Sequence, residues 1–589
     1  MPYLPQIITA PQSKDVTDTF YGYNHKLKIG PGEFYHTENL STRDFPMLAT
    51  RKRRGMVRKL DKPQGLLAKG GKLAWVDDGV LYYDGEATSI NALTYGYKQL
   101  VNMGAYICVF PDKAYYNTKD TTDYGYMEAH LSLPSSGVTY QLCTLTGSVY
   151  DDVQTEKPDN PANGAYWYDK DNKSLKQYSA AQEDWVTIAT VYTKISFTNY
   201  TGNLKDHLRD NDGVELNGML YDVLNGTKIL YAVEPKAIVV VGLIDTADAA
   251  LDAPDKITIR RSVPKMDFVC ECQNRLWGCY SGKDEQGKYL NEIYCCALGD
   301  PRNWRQYMGL STDSWTASIG SDGPWTGAIN FLGYPTFFKE NTIHRVTVSA
   351  TGAHSVYETP ARGVQEGSGK SLAIINEELL YKSRADVCAY QGGFPAGISA
   401  ALGDQRFKDA VAGSYGSYYC ISMLDEDKHW NLFCYNMANN LWMREDDMHA
   451  LDIVSASDSM YALDDHGVIW DLLGHDGELE TELHWTAQTG ILYYYTRGSR
   501  GAAVNTNRKY TSRYTIQLNA SKDSTIAAFV QYDSDGVWRF QGKTTFNGLN
   551  SIVFPIRPRR CDHLEIRLEG TGDVKIYGIT RILEEGSDV

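Results

Sequence analysis

The sequence predicts an all-β protein: a β-propeller of about seven blades, interrupted by a small β domain and followed by a C-terminal β-sandwich. Three observations predict this. The first is composition. Of 589 residues, 42 are Tyr and 52 are Gly; Tyr suits a pleated, half-buried surface, and Gly supplies tight turns. The second is a repeating unit, in which a short apolar strand and a tight Gly/Asp/Asn turn lead into a strand rich in Tyr, Val or Ile. Such units run from Ala328 to Val346, Leu372 to Tyr390, Val411 to Tyr435 and Ile453 to Asp471. Their starts lie about 40 to 50 residues apart, the period at which four-stranded blades recur. The third is that this period fails twice, over 118–263 and again after 476, which marks an insert and a separate terminal domain.

Residues 1–60 read as an N-terminal arm, because Pro2, Pro5, Pro11, Pro31 and Pro46 break regular elements. The arm ends in the densest basic cluster of the chain: Arg51, Lys52, Arg53, Arg54, Arg58 and Lys59. These residues read either as a solvated face or as a site that docks on an acidic neighbour or on DNA phosphates.

The first part of the propeller occupies 61–117. Lys72–Val76 is a strand, Asp77-Asp78-Gly79 a turn and Val80–Gly85 the next strand; Asp-Gly between apolar runs is a strong hairpin signal. Ala105–Phe110 and Ala114–Tyr116 repeat the pattern. The inserted β domain, 118–263, contains a loop at Lys157–Gly164, then a hairpin series through Ala165–Asp169, Ser174–Tyr178 and Asp184–Ile188, and a buried-strand run from Ala237 to Leu243. Its aromatic residues Tyr166, Trp167, Tyr168 and Trp185 read either as core and hairpin residues or as a surface that stacks on sugar rings.

The second part of the propeller, 264–476, opens with Asn274–Tyr280, the strand Asn291–Cys296 and the corner Gly299–Trp304. Two units before the insert and five after it make seven, with six or eight also open. In the C-terminal sandwich, 477–589, the runs His563–Gly570 and Val574–Ile579 alternate apolar and polar residues, so one face is buried and one is wet.

Lys and Arg number 58 against 73 Asp and Glu, a net charge of −15. This argues against general nucleic-acid binding, which needs clustered cations, but an acidic surface suits a passage through which DNA slides without sticking. Cys108, Cys420 and Cys434, three of 11 Cys, sit in strand-like runs. They read as free buried thiols in a reduced compartment with few or no disulfides. Met1–Pro5 shows no secretory signal, and the aliphatic run Ala237–Ile244 is too short to span a bilayer.

Catalytic and ligand motifs are scarce. Gly367-Ser368-Gly369-Lys370-Ser371 lacks the glycine a phosphate loop needs, since Val364 stands there, and reads as an inter-blade loop. Asp210–Glu215 and Asp533–Gly536 do not complete a calcium loop and read as hairpin turns. Asp425–Asp427 and Glu445–Asp447 read as acidic turns between strands. Gly-x-Ser-x-Gly, His-Glu-x-x-His and the sialidase-type Asp box are absent. The pairs Cys270/Cys272 and Cys295/Cys296 lack zinc spacing. The expectation is a protein that is not an enzyme, with no catalytic residues, cofactor or metal.

Three stretches carry a family likeness: Gly32–Arg51; Arg275–Gly278 with Glu292–Trp304 and Thr336–Val346; and Pro558–Gly570. In these the chain resembles the β-propeller tail proteins of tailed bacteriophages, the nozzle (tail tubular) class below the portal and adaptor of short-tailed phages. The resemblance implies a structural virion protein, assembled in the host cytoplasm into a homo-oligomeric, hexameric ring. It implies portal or adaptor proteins above, tail-fibre or tail-tip proteins around or below, and genomic DNA passing through without sequence-specific binding or a membrane span. A family without an active site offers no site residues to carry over. The alternative is a host-glycan-binding or depolymerising tail protein on the same scaffold.

Overall fold

The computed structural model describes residues 12–585, apart from 246–247, 251–255, 285, 350–351, 494, 499–500 and 505–508. Pro2, Pro5 and Pro11 of the expected arm lie outside the described residues.

The protein is all-β, and among the described residues its propeller has seven blades. Blade one is Pro63–Lys69, Lys72–Asp77, Val80–Tyr83 and Glu86–Ala87; blade two is Gln99–Met103, Tyr106–Phe110, Ala114–Asn117 and Tyr124–Tyr126. Blade three (Phe268–Glu271, Leu276–Lys283, Tyr289–Cys295, Trp315–Ser318) and blade four (Gly327–Phe331, Tyr334–Phe338, Thr342–Val348, His354–Pro360) follow the insert. Blade five is Ala373–Ile375, Glu378–Lys382, Val387–Tyr390 and Ala396–Gly397, and blade six is Phe407–Tyr415, Tyr418–Asp425, Trp430–Asn436 and Leu441–Asp446. Local chemistry writes these hairpins. Between the second and third strands of blade one, Asp78 and Gly79 take φ of 46° and 77°, the positive values that a two-residue turn matched to strand twist requires.

Blade seven corrects the reading of 1–60 as an arm. Its own strands are Ala450–Ala456, Ser459–Asp464 and Val468–Asp471. Its next strand is Gly55–Lys59 from the N-terminal region, followed by Glu478–Leu479. Val468 pairs with Lys59 and Asp471 with Gly55. Farther upstream, Gln12–Thr17, Gly22–Tyr23, Glu33–Glu38, Leu40–Ser41 and Leu48–Thr50 join the C-terminal domain in one eleven-stranded ladder with His484–Thr489, Leu492–Tyr493, Lys509–Tyr532, Arg539–Pro555, His563–Thr571 and Val574–Glu585. Phe20, Phe34, Leu40 and Leu48 share a core with Trp485, Ile516, Ile566 and Ile576. The prolines divide this segment into short strands; they do not prevent strands from forming.

Two compact units are present, one of residues 1–87, 338–343 and 359–589, the other of 88–337 and 344–358. In the first, Tyr461, Leu463 and Ile469 of blade seven pack on Leu66 and Trp75 of blade one, and Leu432 and Cys434 of blade six on Ile453 and Ala462 of blade seven. In the second, Val101 and Phe110 of blade two meet Val269 and Leu276 of blade three. Cys279 and Ile293 of blade three meet Trp325, Phe337 and Val346 of the blade-four segment.

The insert begins later than expected, since Tyr124–Tyr126 still belongs to blade two. It has a four-stranded sheet (Ala129–Leu133, Ile257–Arg261, Gly213–Asn217, Gly226–Ile229) and a five-stranded sheet (Ala232–Glu234, Ala237–Val241, Tyr192–Phe197, Val138–Cys143, Asp248–Ala250). These share a core that includes Tyr140, Phe197, Val214 and Ile257. A third sheet is Tyr166–Asp169, Ser174–Ser179 and Asp184–Thr187. The insert is fixed to blade three: the Asn303 side chain accepts from the Gly213 N–H at 3.1 Å and donates to the Asn211 carbonyl at 2.8 Å. A Cβ on Gly213 would stand 2.1 Å from the Arg305 carbonyl oxygen, so only glycine permits this approach.

Cys420 and Cys434 are not free thiols: they are directly opposed on neighbouring strands and joined by a disulfide. Cys108 forms no disulfide and is fully buried, as expected. No helix among the described residues is long and apolar enough to cross a membrane.

Leu48 is 1% exposed and its strand pairs with Val574–Glu585, Leu48 opposite Ile576. We expect Leu48→Ala to destabilise the C-terminal domain by about 2–5 kcal/mol. Denaturant unfolding followed by tryptophan fluorescence measures this. An unchanged midpoint would mean that the N-terminal segment is a loose appendage.

Candidate functional site: an aromatic platform on the insert

The three-stranded sheet of the insert sorts its aromatic residues by strand alternation. Tyr166 and Tyr168 share one face with Leu175, since Tyr168 pairs with Leu175. That face is turned inward: Leu175 is fully buried, Tyr168 is 5% exposed, and Tyr166 packs against the insert core. Trp167 lies on the opposite face. It pairs with Lys176, and two residues on, Tyr178 pairs with Trp185. Side chains two apart on a strand, and those directly opposite across a pair, share a face, so Trp167, Lys176, Tyr178 and Trp185 stand together.

Their rings touch. Trp167 meets Trp185 edge-on at 5.4 Å between centroids, and Tyr178 meets Trp185 at 5.5 Å. All three are half-buried. Two ammonium groups lie over Trp167, that of Lys176 at 5.1 Å and that of exposed Lys157 at 5.6 Å. Lys176 is held by Asp169 at 2.7 Å. Asp169 also accepts from the Asn172 side chain at 2.9 Å and from the backbone N–H groups of Asp171 and Asn172 at 3.1 and 3.2 Å. The Asn172 amide and then Lys176 lower the pKa of this carboxyl, so it is ionised at neutral pH. One buried carboxylate thus fixes the turn, the lysine and, through it, the tryptophan. Such a rigid aromatic face suits the C–H face of a sugar ring, and the ammonium groups suit its hydroxyl or acidic substituents. The sequence reading named Trp167 and Trp185 together with Tyr166 and Tyr168. It missed Tyr178, whose only signal is its strand phase relative to Trp185.

The basic cluster is not a continuous surface. Arg51 and Arg54 are 6% and 2% exposed. Arg54 bonds Asp446 at 2.5 Å and Glu445 at 3.0 Å, and Arg51 bonds Glu480 at 2.7 Å. Burial opposes the charge of Arg54, but Asp446, Glu445 and Glu480 outweigh it and raise its pKa. Arg58 is exposed and lies over the stacked rings of Trp75 and Tyr82, at 4.9 and 5.4 Å. Lys59 donates to the His466 carbonyl, Arg53 to that of Thr481 at 3.3 Å, and Lys52 is exposed. Glu445 and Asp446 are therefore not turn residues: both end a strand of blade six and face Arg54.

Other motifs are used internally. Lys370 bonds the Leu451 carbonyl at 2.8 Å and Asp452 at 3.4 Å, as suits an inter-blade loop. Asp212 pairs with buried Arg261 at 2.5 Å, and Asp535 with Arg539 at 2.7 Å. The residues of the tail-protein likeness serve the fold: Arg275 donates to the carbonyls of Cys296, Asp313 and Ser311 at 3.2, 2.6 and 2.5 Å, and Leu564, Ile566 and Leu568 lie in the C-terminal core.

No protein-family profile and no curated protein matches the chain. Among solved structures, it is similar to an exo-β-1,3-galactanase from Phanerochaete chrysosporium, at 10% identity over 53% of this chain and 94% of the other, with a TM-score of 0.22. It is also similar to a Trypanosoma rangeli sialidase, at 9% identity over 97% of this chain and 96% of the other, with a TM-score of 0.23. Likeness at this level does not transfer an activity. It does correct one expectation: the chain was expected not to be an enzyme because familiar motifs are missing, yet the structures it is similar to include a galactanase and a sialidase. Missing motifs therefore do not exclude hydrolysis.

Substituting Arg54 by Met leaves Glu445 without its arginine and Asp446 with Arg51 alone, at 3.8 Å. We expect a loss of about 3–5 kcal/mol, measured by denaturant unfolding. Burial works to raise the Asp446 and Glu480 carboxyls, but the arginines overcome it and hold both below their ordinary values. Their contribution is complete above the unfolded carboxylate pKa of about 4 and is lost as pH falls through the lowered folded values. The stability difference between wild type and Arg54→Met therefore narrows below about pH 4, and a difference that widens on acidification would contradict this assignment.

Proposed function

We propose that this chain is a carbohydrate-binding β-propeller protein whose insert grips a glycan on the Trp167–Tyr178–Trp185 face. The observation that supports it is that face: three half-buried rings in mutual contact on the outer side of the insert sheet, flanked by Lys157 and Lys176. Core aromatics would be turned inward, as Tyr168 is. Aromatic side chains lose little conformational freedom on binding and are effective anchors for that reason. The tail-protein resemblance read from the sequence supplies a setting, in which the glycan belongs to a host envelope and the protein to a phage tail. Whether the glycan is only held or also cleaved is read from product release.

On a glycan array, wild-type protein is expected to bind a defined subset of host polysaccharides. Trp185→Ala and Trp167→Ala should each weaken that binding about tenfold, or ~1.4 kcal/mol, with an unchanged melting temperature. Binding that survives both substitutions, or a wild-type protein silent across the array, would remove the reading.

A further inference from the structure

The N-terminal segment and the C-terminal domain, which lie in the same unit, enclose a hollow of 540 Å³, a size usual for small-molecule pockets. Its floor is part of their shared ladder. Arg581 stands there between two directly opposed neighbours, Asp15 on one side and Tyr514 on the other. Thr17 and Ile579 form the adjoining pair on the same face, since residues opposite one another, and residues two apart on a strand, share a face. All of these line the hollow. Its walls are apolar: Phe20 and Phe34, whose rings stack at 6.1 Å, and Leu492.

One polar group of the floor is unused. Tyr514 is 4% exposed, and the charges of Arg581 and Asp15 reach it, but its hydroxyl has no hydrogen-bond partner among the described residues. Buried tyrosine hydroxyls are usually bonded, and others in this unit are. Tyr381 donates to the Arg362 carbonyl at 2.6 Å, Tyr419 to that of Ser371 at 2.7 Å and Tyr532 to that of Arg557 at 2.8 Å. Tyr514 lines the hollow instead. Asp15 is only partly engaged: Arg581 bonds its Oδ2 at 2.9 Å, and the side chain is 42% exposed.

The charges of the lining balance, Lys14 and Arg581 against Asp15 and Glu33. Glu33 is held by the Asn24 amide at 2.8 Å and by the Gly30 N–H. A charged ligand would enter without a counter-ion, and a hydrocarbon would cover the Asp15–Arg581–Tyr514 row with apolar atoms; both are costly. A neutral sugar matches both parts of the hollow, with its hydroxyls toward the floor and its C–H face toward the phenyl walls.

We propose that this hollow binds a neutral sugar residue whose hydroxyls bond the Tyr514 hydroxyl and the Asp15 carboxylate. The ligand class rests on the carbohydrate reading above, but the site is separate from the platform.

The test titrates the full chain calorimetrically with glucose, galactose, mannose, xylose and their disaccharides, with glucuronate and glucosamine as charged controls. Wild type is expected to bind at least one neutral sugar. Tyr514→Phe, which removes a single oxygen, should weaken that binding at least tenfold and leave the melting temperature unchanged. Trp167→Ala/Trp185→Ala should bind these small sugars as wild type does. If Tyr514→Phe binds as wild type, the hollow proposal is overturned and the array result for the platform is unaffected. If Tyr514→Phe loses binding while array binding survives the tryptophan substitutions, the hollow stands and the platform reading falls. If Tyr514→Phe lowers the melting temperature, the hydroxyl serves the fold and the hollow proposal is overturned. Binding of the charged controls alone, or of no probe, also overturns it.

Discussion

Arg54 carries a positive charge into a site where 2% of the residue is exposed. Its carboxylate neighbours come from two separate segments: Glu445 and Asp446 end blade six, and Glu480 opens the C-terminal domain. The backbone joins the same knot, with the Arg54 N–H donating to Glu480 at 3.0 Å and the Glu480 N–H to the Arg54 carbonyl at 2.9 Å. A buried charge without its partners costs several kcal/mol, so the N-terminal segment is stable only where these acids converge. That placement sets the strands on either side of it. Upstream, Leu48–Thr50 reaches the C-terminal ladder; downstream, Gly55–Lys59 completes blade seven and Leu60 leads into blade one. One chain segment thus ties the last blade to the first and both to the terminal domain, and the ion cluster fixes its register.

The limits of the sequence reading follow from the same geometry. Hairpins are local events. An Asp-Gly or Asn-Gly turn between apolar runs names both strands, so two units before the insert and five after it were countable from residues alone. Strand partners far apart in sequence leave no local mark. Nothing in Leu48-Ala49-Thr50 announces that it pairs with Lys575 and Ile576, and prolines nearby made the segment look irregular. Charge is equally ambiguous. Arg51 and Arg54 look like their neighbours Lys52 and Arg53, and only the distant acids of blade six and Glu480 decide which are buried.

The aromatic face lies between these extremes. Alternation alone places Trp167 opposite Tyr166 and Tyr168. That Tyr178 and Trp185 join Trp167 depends on the register between strands, which the Asp169–Asn172 turn sets. A shift of one residue between the first two strands would carry Trp167 into the core and turn Tyr166 and Tyr168 outward. Asp169, 3% exposed and bonded to Asn172 and Lys176, therefore acts on the platform through register.

An insert joined to a blade only through its two chain ends would swing, and a binding face on it would lose orientation to everything else. Here the joint is stiffened from both sides. Asn303 of the blade-three corner grips the backbone at Asn211 and Gly213, and Arg261 locks Asp212 while donating to the carbonyls of Met127 and His207 at 2.9 and 3.0 Å. The close passage of Gly213 over the Arg305 carbonyl removes any slack a larger residue would impose. Ligand sites carried on a scaffold fixed in this way bind with little ordering cost. Placing the aromatic face in this unit lets a rigid body, rather than a mobile appendage, present it.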